Sequence, residues 1–177
     1  MLPNAAPTLE TERLILRAVR ANDLEPLLKM WCEPKVYEFI SGKPSSLEDR
    51  WRAILRDIGQ WNLLGYGFWI LEEKTTGTIM GECGFLDCKR EIAPSMFETP
   101  EMGWVLAPMF HCKGYATEAL KKIAAWGDEN LEQAVTACIT APENTASNNV
   151  AKKLGFKQVA ETTYHGEPTL LFHRQRP

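Results

Sequence analysis

The chain has 177 residues, 45% of them hydrophobic and 24% charged, a composition that excludes disorder, collagen-like repeats and low-complexity tracts. Twenty Lys+Arg against 23 Asp+Glu give a formal charge of -3, which provides no general attraction for a phosphate backbone, so direct nucleic-acid binding is not expected. The longest apolar run covers only residues 68–71, far short of the ~18 consecutive apolar residues of a membrane span, and a single domain over residues 1–177 is expected.

The opening Met1, Leu2, Pro3 and Asn4 carry neither the basic nor the apolar stretch of a leader, so a cytoplasmic location is expected. Cys32, Cys83, Cys88, Cys112 and Cys138 are odd in number and have no framework spacing, which predicts reduced thiols. No second pair follows Cys83 and Cys88, and no metal site is predicted.

Leu14 and Leu16 alternate with Arg13, Ile15 and Arg17 as in a half-buried strand. A helix follows, with Asn22 or Asp23 as its cap and Leu24, Leu27, Leu28 and Trp31 at helical spacing. A second helix is predicted to start with a capping box of Ser45 and Glu48 and to bury Leu47, Trp51, Ile54, Leu55, Ile58 and Trp61. Segments 66–72 and 78–86 read as a hairpin joined by a polar turn. Residues 87–100 are a long loop with exposed-looking Met96 and Phe97, either a surface insertion or a lid over an acceptor.

Residues 102–106 read as a strand and Tyr115 to about Asn130 as an amphipathic helix, with His111, Cys112, Lys113 and Gly114 between them. A strand, a small-residue turn and a helix start aim several main-chain N–H groups and the helix dipole at one spot, which suits a phosphate or simply makes a turn. Next come an alternating strand over 135–140 and a helix with Ala146, Val150 and Leu154 on one face, closed by Gly155.

Segments 103–119 and 144–156 together resemble the acetyl-CoA-binding core of the GNAT superfamily of N-acetyltransferases. The opening Leu9-Glu10-Thr11-Glu12-Arg13-Leu14-Ile15-Leu16-Arg17 and the run Gly114-Tyr115-Ala116-Thr117-Glu118-Ala119 are similar to its Rim-like branch, which includes ribosomal-protein N-terminal acetyltransferases. The resemblance implies an α+β fold, a mixed, mostly antiparallel sheet flanked by helices whose parallel fourth and fifth strands splay apart. The pantetheine arm of acetyl-CoA would lie in that gap against the main chain of Trp104, Val105 and Leu106. Its diphosphate would sit on the N–H groups of Cys112, Lys113, Gly114, Tyr115 and Ala116, with Asn144 touching the arm.

Two departures stand out. His111 and Cys112 occupy positions where the family has Arg, Gln or Trp and then Gly, so a positive φ at Cys112 would be strained. Ala151 stands where many members place a tyrosine acid. The Rim-like branch implies Ser147 in that role, and a serine near a helix start also reads as a cap. Acetyl transfer needs a neutral amine and a proton for the leaving thiolate. Glu101 is the first candidate base, Glu82 and His165 are others, and the oxyanion donor is expected to be an N–H near Val105. Glu118 is expected to serve dipole or surface electrostatics. Trp51, Trp61 and Trp126 read as core, whereas Trp31, Trp69 and Trp104 read as core or cleft.

The leading expectation is therefore an acetyl-CoA-dependent N-acetyltransferase acting on a protein N-terminal or small-molecule amine. The alternative is a non-catalytic acyl-CoA-binding domain of the same fold. Met96 and Phe97 permit a homodimer without requiring one.

Overall fold

The computed structural model describes residues 5–177; Met1 to Asn4, and with them the expectation about a leader, lie outside it. In chain order the elements are β1 (Leu9–Glu10), β2 (Leu14–Arg17), α1 (Leu24–Trp31), α2 (Pro34–Tyr37), α3 (Leu47–Leu64), β3 (Phe68–Glu73), β4 (Ile79–Leu86) and β5 (Glu101–Leu106). There follow α4 (Tyr115–Asn130), β6 (Val135–Thr140), α5 (Thr145–Lys153), β7 (Lys157–Tyr164) and β8 (Glu167–Gln175). The strands form one sheet in the order β1-β2-β3-β4-β5-β6-β8-β7. Every neighbouring pair is antiparallel except β5 and β6, which are parallel. This is the expected mixed architecture, and the short β1 moves the splayed pair to fifth and sixth place.

Strand alternation sorts the sheet into two faces. Trp69, Cys83 and Trp104 stand in register on one face, Ile70, Glu82 and Val105 on the other. The first face buries Leu14, Leu16, Trp69, Phe85 and Met102 against Ala119, Leu120 and Ile123 of α4. The second carries Ile70 against Leu27, Met30 and Trp31 of α1 and Ile54 of α3. A third cluster packs Ile92 and Met96 onto Ala137 and Leu171.

Three expectations change. The box that starts α3 is Ser46 and Asp49: Ser46 Oγ accepts the Asp49 N–H at 3.1 Å and Asp49 Oδ2 accepts the Ser46 N–H at 3.3 Å. Ser45 is unavailable because its hydroxyl accepts from Arg50 Nε at 3.1 Å. Trp51 is 41% exposed, alongside exposed Leu47 and Leu55, because α3 buries Arg50, Ala53, Ile54, Asp57 and Trp61 instead. Met96 is buried with Ile92 against Ala137 and Leu171, so the 87–100 segment is seated on the sheet rather than loose, while Phe97 stays exposed. Among the described residues no helix is long and apolar enough to cross a membrane.

Candidate active site

β5 and β6 are registered at a single pair, Glu101 with Ala137, where the Ala137 N–H donates to Pro100 O at 3.0 Å. Beyond that pair the strands part, and the main chain on one side of β5 faces a gap. The Ala107 N–H donates to Met80 O at 2.8 Å, and Val105 stands opposite Glu82. Antiparallel alternation therefore turns the main-chain groups of Val105 toward β4 and those of Trp104 and Leu106 toward the gap. Of the three residues expected along the pantetheine arm, Trp104 and Leu106 therefore turn their main chain to the gap and Val105 does not. Its side chain packs against the α1 and α3 cluster.

The turn after β5 runs through a short helical turn, Pro108–Phe110, and then His111, whose Nε2 lies 2.8 Å from Leu106 O. That contact ties the turn to the strand and occupies one of the carbonyls at the gap. Cys112 has φ 59 and Gly114 φ 82, both left-handed. The first suits a glycine better than a cysteine and costs about 1–2 kcal/mol. No side chain caps α4, and its first helical bond is from the Glu118 N–H to Gly114 O at 3.0 Å. The N–H groups of Tyr115, Ala116 and Thr117 are thus left pointing out of the helix end, together with the positive end of its dipole.

Across the gap, Asn144 caps α5, its Oδ1 accepting the Ser147 N–H at 3.1 Å. Ser147 is therefore not the cap: it donates its main-chain N–H, and its hydroxyl has no hydrogen bond among the described residues. Asn148, which sequence reasoning passed over, locks the approach to α5. It accepts from Thr140 Oγ1 at 2.5 Å and donates to Pro142 O at 3.0 Å.

The face opposite α4 holds buried charges. Glu101 is 6% exposed, and both its oxygens are held by Arg90, at 2.5 Å from Nε and 2.9 Å from Nη2. The Arg90 guanidinium lies 5.0 Å from the centre of the Tyr164 ring. Glu82 Oε1 accepts from Trp31 Nε1 at 2.9 Å and from Arg50 Nη1 at 3.1 Å, and Arg50 stacks over Trp31 at 4.1 Å. Trp31 is thus a buried hydrogen-bond donor to the site, while Trp69 is core. Asp57 Oδ1 accepts from Arg56 Nε and Nη2 at 2.9 and 2.7 Å. Burial nevertheless pushes its carboxyl up to about 6, with Arg56 pulling it down and Glu82 pushing it further up. At the end of the sheet where β5 meets β6, a cavity of about 250 Å³ is lined by Cys88, Lys89, Arg90, Glu91, Tyr164 and His165.

Glu118 departs most from expectation. Its Oε1 accepts from Thr11 Oγ1 at 2.6 Å and from the Arg13 N–H at 2.9 Å, and its Oε2 from Arg13 Nε at 2.7 Å and Nη2 at 2.6 Å. Burial raises its pKa, but the bonds from Thr11 and Arg13 outweigh that and hold it below the ordinary value. It is an anchor rather than a solvated surface charge. The only hint in the sequence was that residues 9–17 and 114–119 carried the same resemblance. Arg50, Asp57 and Arg90 gave no such signal.

A parallel strand pair thus parts over an uncapped helix start. The model of the acetyltransferase (GNAT) domain matches residues 13–157, and the chain belongs to that family. The N-acetyltransferase p20 of Bacillus licheniformis, itself uncharacterised, is 29% identical over 85% of this chain and 83% of its own. An acetyltransferase structure from Agrobacterium tumefaciens superposes with a TM-score of 0.82 at 25% identity, covering 97% of this chain and 95% of that one. The same fold is seen in RimL, a ribosomal L7/L12 alpha-N-protein acetyltransferase in complex with coenzyme A, with a TM-score of 0.78 at 15% identity over 96% and 98% of the two chains.

Proposed function

We propose that residues 1–177 form one transferase unit that moves the acetyl group of acetyl-CoA onto a primary amine by direct attack on the thioester. The observation that carries this reading is the parting of β5 from β6 above Glu101 and Ala137, opening toward the uncapped start of α4. Acetyl-CoA, when bound, supplies the activated acetyl group. The N–H groups of Cys112, Lys113, Gly114, Tyr115 and Ala116 hold its diphosphate. The main-chain groups of Trp104 and Leu106, with the side-chain amide of Asn144, hold the arm.

The acceptor approaches from the charged face, by the cavity between residues 88–91 and the tip of the β7–β8 hairpin. An α-amine of pKa about 7.7–8.0 is roughly 10% neutral at pH 7, whereas a lysine is neutral only about 0.04% of the time. An N-terminal amine therefore needs little help from a base. Glu101 takes the proton, directly or through water, once Arg90 swings aside. An N–H of Trp104 or Leu106 bears the charge that develops on the acetyl oxygen. The Ser147 hydroxyl, free of any capping duty, gives a proton to the departing thiolate.

A second reading, a non-catalytic acyl-CoA-binding domain, is favoured by one observation: both oxygens of Glu101 are engaged by Arg90. Calorimetry with acetyl-CoA, followed by CoA release over a panel of peptides and small amines, separates the two. Tight binding with no turnover across the panel would select the binding domain, and no heat at all would sink both. Mass spectrometry of a lysate incubated with labelled acetyl-CoA tells peptide acceptors from small metabolites. Ser147→Ala is expected to leave acetyl-CoA affinity intact and to lower kcat by about 100-fold, the low end for loss of a positioned acid; unchanged kcat would remove Ser147 from the chemistry.

A further inference from the structure

The turn before α4 is conformationally expensive. Cys112 and Gly114 are both left-handed, and such a turn persists only where its surroundings over-determine it. Lys113 lies between them, and its carbonyl is held from outside the turn, by Arg13 Nη1 at 3.1 Å. The same guanidinium lies 4.1 Å over the centre of the Tyr115 ring, and its Nη2 is 3.5 Å from where a Cβ on Gly114 would stand.

Arg13 is in turn fixed at its other edge. Nε and Nη2 both meet Glu118 Oε2, one turn into α4, while the Arg13 N–H and the Thr11 hydroxyl occupy Oε1. Thr11 is itself held in a closed turn: its N–H donates to Leu14 O and its Oγ1 accepts the Leu14 N–H, each at 3.0 Å. The tip of the β1–β2 hairpin thus grips the turn from residue 113 to residue 118. The guanidinium charge is matched by Glu118, so what it contributes is geometry.

We infer that Arg13 is a positioning residue for acetyl-CoA: through Lys113 O, the Tyr115 ring and Glu118 it holds the left-handed turn so that the N–H groups at the start of α4 converge on the diphosphate. The inference rests on the transferase reading above. Lysine cannot replace arginine here, because an ammonium group cannot reach a carboxylate and a carbonyl as a planar fork while stacking on a ring. Glu118 acts through the same unit, so its loss and that of Arg13 should overlap rather than add.

The test measures acetyl-CoA Kd by calorimetry, KM for both substrates, kcat and Tm for wild type, Arg13→Gln, Arg13→Lys, Glu118→Gln and the Arg13→Gln/Glu118→Gln double variant. The expected result is a rise of about tenfold in Kd and KM for acetyl-CoA in each single variant, with kcat and acceptor KM within about twofold. The double variant should be no worse than the poorer single. Where Arg13→Gln fails to fold, Arg13→Lys and Glu118→Gln carry the same comparison. Acetyl-CoA Kd unchanged in the folded variants, with only Tm lowered, would reduce Arg13 to a structural tie. Full recovery of affinity in Arg13→Lys would mean a bare charge suffices, and would also overturn the inference. Absence of acetyl-CoA binding by the wild type would instead defeat the transferase reading itself.

Discussion

The start of α4 and the sheet face opposite α4 are built by opposite means. At the start of α4 the free groups are main-chain N–H donors, and the side chains around them, Arg13 and His111, tie the backbone of the turn. On the sheet face opposite α4 the groups are buried carboxylates, each held by a cation: Glu101 by Arg90, Glu82 by Arg50, Asp57 by Arg56. A site made of backbone tolerates side-chain replacement, as the resemblance implies for His111 and Cys112. A fully buried pair such as Glu82 with Arg50 does not, because removing one member strands the other without solvent, whereas the half-exposed Arg56 would keep its water if Asp57 were neutral.

That contrast can be broken most forcefully at Glu82. Glu82→Ala leaves Arg50, 8% exposed, without its carboxylate and the Trp31 Nε1 without an acceptor, so a loss of about 3–5 kcal/mol in unfolding free energy is expected. Denaturant unfolding measures it, and a loss of well under about 1 kcal/mol, the range of exposed pairs, would mean that charge pairing does not hold this face. Gly114→Glu attacks the start of α4, adding a side chain at φ 82 and a negative charge to the proposed diphosphate site. Acetyl-CoA affinity should fall by at least about 100-fold, or about 2.7 kcal/mol, with the fold retained by circular dichroism. Measurable affinity near wild type would move the diphosphate elsewhere.

Asp57 sharpens the contrast through pH. Its folded carboxyl titrates at about 6, above the ordinary 3.8, because burial disfavours its charge. The native state therefore holds this proton more tightly than the unfolded chain. The associated stability is full below about pH 4 and is lost as pH rises toward 6, on the order of 2–3 kcal/mol. Asp57→Asn should flatten that slope and be the more stable protein at pH 7; an unchanged slope between pH 4 and 6 would show that Asp57 is charged throughout. The smallest effect is expected where the backbone site carries its one misfit. Cys112→Gly relieves a left-handed cysteine and should raise stability by up to about 1 kcal/mol, less the entropy a glycine adds to the unfolded chain. A loss of stability would mean that the thiol packs against the turn.

The legible parts of the sequence were those whose signals are local. The start of α4 after a glycine, the helix closed by Gly155 and the hairpin of β3 and β4 are each set by a dozen or so neighbouring residues, and they came out where the pattern put them. The α3 face did not, because its buried stripe carries Arg50 and Asp57 while Leu47, Trp51 and Leu55 look outward. Hydropathy selects an apolar stripe and has no knowledge that a buried arginine will meet Glu82. Met96 was misjudged for the same reason: its cover comes from Ala137 and Leu171, far along the chain.

By itself, then, the sequence determined the alternation of helices and strands through the middle of the chain and the turn that opens α4, since helix caps, strand alternation and left-handed glycines act over short stretches, while the mixed sheet was implied by the family resemblance. Only the tertiary structure decided which charge meets which. Arg13 reaches Glu118 across 105 positions and Arg50 reaches Glu82 across 32, and such pairings depend on strand register and helix rotation rather than on any local pattern. It also decided that Val105 turns its main chain to β4 and Trp104 to the gap, because the side of a strand that a group faces is fixed by the partner with which the strand is in register.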